Sequence, residues 1–131
     1  LEDDILTFEE LARQIQCVVA VSGAIDVITD GAQTILVRNG CKTMARITGS
    51  GCMLTTLIGA FCGANKDAAF HATSLAIAVM GIAGEFAEEK RLKNKTGNAT
   101  YRNDLIDAIF NITVEEIEEN INYEIFKRTD S

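Results

Sequence analysis

Positive charge, histidine and metal-ligand spacings are what this chain has least of. Twelve Lys and Arg stand against nineteen Asp and Glu in 131 residues, a net charge of −7. The basic footprint that nucleic acid or an anionic membrane surface needs is therefore missing. His71 is the single histidine, and Cys17, Cys41, Cys52 and Cys62 form neither a C-x-x-C pair nor the Cys/His spacing of a zinc site. The uncharged, Ala-rich stretch from Ala68 to Gly84 falls short of the ~20 residues of a membrane span and reads as a buried helix. Proline is absent and no internal repeat is visible. With no signal-peptide pattern, reduced thiols in a cytosolic setting are expected.

What is present is a chain able to bury a core, with 47% hydrophobic and 24% charged residues, at a length that suits one domain. Thr7-Phe-Glu-Glu10 has the form of a capping box, so a helix is predicted to run from there to about Gln16. Cys17-Val-Val-Ala-Val21 is a continuous apolar run that predicts a strand buried on both faces, as in a parallel sheet. Asp30-Gly31 signals a hairpin between Val27–Thr29 and Thr34–Val37. Asn39-Gly40 signals a second turn, with a short strand at Thr43–Ile47. Helices follow over about 51–62, 68–92 and 101–110. Thr113-Val-Glu-Glu116 caps a last one running to about Phe126. Strands at the front and helices behind predict an α/β fold with too few strands for its helices, as in the C-terminal part of a larger protein.

The stretch that carries chemistry is Ile47 to Thr56, ITGSGCMLTT. It fails as a dinucleotide fingerprint, since Leu54 stands where the third glycine belongs, and no Gly-Lys-Ser/Thr makes it a P-loop. Gly49 and Gly51 let the backbone turn into a helix whose first amides and dipole favour an anion. Cys52 falls in the first helical turn, where that field favours a thiolate. Spacing alone leaves two readings open: an anion cradle with a reactive thiol, or a tight turn before a core helix with Cys52 as a small buried residue. His71, on an apolar helix, reads as a satisfied or interface residue. Asp30 reads as a turn residue, Asp26 as a residue that could orient a ligand, and Cys41 has no assigned chemistry.

VVAVSGAIDVITDG (Val18 to Gly31) followed by NGCKTMARITGSGCMLTTLIGAFCG (Asn39 to Gly63) resembles the C-terminal half of the hydroxyethylthiazole kinase family. The resemblance implies a ribokinase-like three-layer α/β sandwich, with residues 1–131 forming the C-terminal part of one kinase domain. It implies ATP-dependent phosphorylation of the hydroxyethyl group of 4-methyl-5-(2-hydroxyethyl)thiazole in thiamine salvage, assisted by Mg2+, in a cytoplasmic homotrimer with sites between subunits. Cys52 is then the base, at the position where related sugar kinases carry Asp. Gly49 lies at the substrate and anion hole, and Ser22, Thr48 and Gly51 contact ATP phosphates. The family's adenine-end loop often reads Gly-Pro-Gly-Ser/Thr-Phe, whereas here it is Gly97-Asn-Ala-Thr-Tyr101. The alternatives are another kinase of the superfamily, acting on a hydroxymethylpyrimidine or a sugar, or a non-catalytic ATP-binding or oligomerisation fragment.

Overall fold

The computed structural model describes residues 1–128. The first helix, α1, spans Glu2–Ile15 and begins earlier than the Thr7 box predicts. Glu2, Asp3 and Asp4 occupy its first turn and complement the helix dipole. Thr7 therefore sits inside the helix, and its hydroxyl donates to the Asp3 carbonyl at 3.1 Å. Gln16 ends the helix in the left-handed conformation, at φ 55°.

Three strands follow in an antiparallel meander: β1 (Val19–Val21), β2 (Asp26–Thr29) and β3 (Thr34–Val37). The Asp30-Gly31 hairpin is present, with Asp26 opposite Val37 and Thr29 opposite Thr34. Asp30 does act in the turn, its Oδ1 accepting from the amides of Ala32 and Gln33 at 2.9 Å each. β1 differs from the doubly buried parallel strand that its apolar run predicts. It is an antiparallel end strand with Ala20 exposed, and Cys17 just before it is exposed too.

The segment after β3 also departs from prediction. Gly40, at φ +118°, bends the chain, and Lys42–Arg46 is a short 3-10 helix in place of a strand. Then come α2 (Ser50–Ala64), α3 (Ala69–Asn94), α4 (Asn98–Asn111) and α5 (Val114–Asn120). Thr113 caps α5 as expected, its hydroxyl accepting from the Glu116 amide at 3.2 Å. That helix stops at Asn120, and Tyr123–Ile125 forms β4, antiparallel to β3. Sheet order is β1-β2-β3-β4.

Alternation along the strands sets three layers. Val27 and Leu36 face α1 and pack with Ile5. Ile28 and Val37 point the other way and pack with Phe70, Ile77 and Ala78 of α3. A further cluster joins Ile47, Met80, Ala83 and Ala87 to Tyr101 and Leu105 of α4. α3 is long and apolar enough to cross a membrane, but 72% of its most apolar window is buried within the protein, so it serves as the core helix. α2, equally apolar in composition, has no buried residue.

Candidate functional site

A cavity of about 580 Å³ opens where four elements converge. The β1–β2 loop contributes Ser22, Gly23 and Ala24 and the start of β2 contributes Asp26, the segment after β3 contributes Asn39 to Lys42, α2 contributes Ser50 and Gly51, and α3 contributes Met80 and Gly81. Three of the residues singled out in the sequence as ligand contacts, Ser22, Asp26 and Gly51, thus line one space. Thr48, Gly49 and Cys52 do not line it. Thr48 and Cys52 are exposed, and Cys52 directly follows the lining residue Gly51.

Gly49 is the N-cap of α2 at φ +91°, a conformation that glycine adopts without strain. No side chain caps the helix, and its first turn holds no acidic residue. The first-turn amides have no partner within the helix. A Cβ added at Gly49 or Gly51 would meet nothing within 4 Å, so the turn faces open space. Dipole and bare amides together make this end of α2 receptive to an anion. The expected turn into a helix is therefore present, but with Cys52 outside the core.

Asp26 keeps the opposite loop in shape. Its Oδ1 accepts from the Gly23 amide at 3.0 Å, closing a tight turn that presents Ser22 and Gly23 to the cavity. Burial pushes its carboxyl above the ordinary aspartate value, and the Gly23 hydrogen bond only partly opposes that.

The wall formed by residues 39–42 lay outside the expected site, because Asn39-Gly40 reads as a surface turn. Asn39 is buried and anchors this wall. Its Nδ2 donates to Glu85 Oε2 at 3.1 Å and to the Asn120 carbonyl at 2.9 Å, and its Oδ1 accepts from the Asn122 amide at 2.8 Å. Gly40 N donates to Glu85 Oε1 at 3.0 Å. Cys41 Sγ lies 3.3 Å from the hydroxyl of the fully buried Tyr101, which donates to the Gly84 carbonyl at 3.1 Å. Burial and the Cys41 contact hold the Tyr101 phenol well above its ordinary value, so it stays a neutral donor. His71 is exposed, stands edge-on to Phe70 and does not line the cavity. A smaller recess among α3, α4 and α5, about 380 Å³, mixes Lys90 and Lys93 with Glu89, Asp107 and Glu116 and contains none of the expected site residues.

The sequence model of the hydroxyethylthiazole kinase family matches residues 2–115. Hydroxyethylthiazole kinase of Clostridium beijerinckii is 46% identical over 110 residues, which cover 84% of this chain and 39% of that protein. The enzyme of that name from Clostridium acetobutylicum is 37% identical over 125 residues, covering 95% of this chain and 45% of the relative. The solved structure of a hydroxyethylthiazole kinase protein from Pyrococcus horikoshii OT3 matches with a TM-score of 0.84 and 30% identity, over 96% of this chain and 47% of that one. The chain spans less than half the length of each of these proteins.

Proposed function

The chain belongs to the hydroxyethylthiazole kinase family, and from that premise we propose that it is the C-terminal part of a kinase domain that phosphorylates the hydroxyethyl group of 4-methyl-5-(2-hydroxyethyl)thiazole with ATP in thiamine salvage. The observation that carries this reading is the uncapped N-terminus of α2, turned by Gly49 and opening beside a cavity that Ser22 and Gly51 share. Phosphoryl transfer depends on positioning and on donors aimed at the moving charge, which this arrangement supplies.

Ser22, Thr48 and Gly51 hold the phosphates through hydroxyls and backbone amides. Gly49, without a side chain, leaves room for the thiazole's hydroxyethyl arm next to that anion hole. Cys52 accepts the hydroxyl proton as the new P–O bond forms, a modest task in a loose transition state. The Cys52 side chain is exposed, so the wall facing it comes from the rest of the polypeptide or from a neighbouring subunit of a cytoplasmic homotrimer. Mg2+, when bound with the triphosphate, neutralises part of its charge. Magnesium on a nucleotide keeps several waters and needs only one or two carboxylates. Among the described residues there is no cluster of three or more His, Cys, Asp or Glu to cage it.

The test is a substrate panel on the full-length protein with ATP: the hydroxyethylthiazole, a hydroxymethylpyrimidine and ribose. Phosphorylation of the thiazole far above the other two is expected. Turnover of either rival in its place overturns the assignment.

A further inference from the structure

Lys42 is the cation among the residues that line the cavity, and Asp26 is the one acidic group there. Among the described residues Lys42 makes no ion pair, although acidic residues outnumber basic ones in the chain. An ammonium group left without a carboxylate in such a background, beside an uncapped helix N-terminus, faces a volume where two positive sources converge. Asp26 offsets them less than an exposed carboxylate does, since burial makes it harder to ionise and its Oδ1 is engaged by Gly23.

The backbone around Lys42 is held from α3 on both sides. Before it, Glu85 takes the Gly40 amide and the Asn39 side chain. After it, Thr43 is buried, and its side chain helps to hold the Glu88 carboxyl of α3 below the ordinary glutamate value. Gly81 lets α3 come against this segment: an added Cβ there would lie 2.6 Å from Asn39 Cβ. Lys42 is thus an exposed, unengaged side chain on an anchored stretch of backbone.

We propose that Lys42 is the cationic contact for the phosphate anion of the nucleotide in this cavity, and that Glu85 positions it through Asn39 and Gly40. The inference rests on the kinase reading above and adds a binding residue to it. Glu85→Gln retains an acceptor for Gly40 but presents an amide to Asn39 Nδ2. Asn39 cannot answer by flipping, because its Oδ1 is taken by the Asn122 amide.

Equilibrium titration of the full-length protein with a non-hydrolysable ATP analogue and, separately, adenosine tests this. Lys42→Met is expected to weaken the analogue about tenfold, the lower end for a hydrogen bond to a charged group at an exposed site. Adenosine binding and melting temperature stay as in the parent, and Lys42→Arg recovers most of the loss. Glu85→Gln is expected to weaken the analogue several-fold more than adenosine, a selective loss that general destabilisation does not produce. A parent that binds the analogue while Lys42→Met binds it equally well overturns the inference and leaves the kinase reading standing. A parent that binds no triphosphate overturns both.

Discussion

Thr34 on β3 donates a 2.8 Å hydrogen bond to Glu9 on α1, and both side chains are buried. The second Glu9 oxygen accepts from Arg128 at 2.7 Å, so one carboxylate joins α1, the sheet and the last part of the described chain. Burial pulls the Glu9 carboxyl up, but the Arg128 and Thr34 hydrogen bonds outweigh it, and the group ionises more readily than an ordinary glutamate. Glu9→Ala is expected to cost about 1–3 kcal/mol, the cost of stranding buried partners. The urea midpoint reads this out, and an unchanged midpoint would show that Glu9 is not a tie.

Glu88 carries the strongest acid signature. The Arg91 guanidinium, 2.6 Å away, holds its carboxyl down at about 2 from an ordinary 4.5. The folded state thus binds fewer protons than the unfolded chain between these values. The contribution is fully present above about 4.5 and is lost as pH falls toward about 2. Melting temperatures across that window should drop less steeply for Glu88→Gln than for the parent; parallel curves refute the assignment.

Two glycine substitutions should part company. Gly81→Ala places a Cβ 2.6 Å from Asn39 Cβ and 2.8 Å from its carbonyl carbon, an overpacking expected to cost about 1–3 kcal/mol. Gly59→Ala, in the middle of α2 with nothing within 4 Å, should be neutral or stabilising by up to about 1 kcal/mol through helix propensity. Thermal unfolding compares the pair directly, and equal effects would contradict the packing seen at Gly81.

For the proposed reaction, Cys52→Ala in the full-length protein should lose about 10²–10⁴-fold in kcat, the usual worth of general-base assistance, while Cys52→Asp retains most of it. An alanine variant that turns over like the parent removes Cys52 from the mechanism.

Features whose determinants lie close together in sequence were legible. The Asp30-Gly31 hairpin and the Thr113 cap are examples, each closed by side-chain contacts within four residues, whereas the equally local Thr7 box lies inside α1, which starts at Glu2. β4 was not, because Tyr123–Ile125 is stabilised by pairing with Ile35–Val37, and the acidic segment before it continues a helical pattern. The antiparallel setting of β1 was hidden likewise, as a Val-rich run looks the same in either orientation. At the site, the glycine turn could be read directly from its spacing. The convergence of Ser22 with Gly51 depended on family resemblance, and the wall at Asn39–Lys42 depends on contacts with Glu85, Asn120 and Asn122 that no local pattern announces.

The contrast between α2 and α3 has a kinetic consequence. α3 has fourteen buried residues and α2 none, so their amides should exchange with deuterium on very different timescales. On burial alone, α2 is expected to open by small excursions and α3 to exchange only when the core comes apart. The helix whose N-terminus is proposed to receive the anion is thus less held by the described chain than α3, and occupancy there should appear as slowed exchange over Ser50–Leu54 while α3 is unchanged.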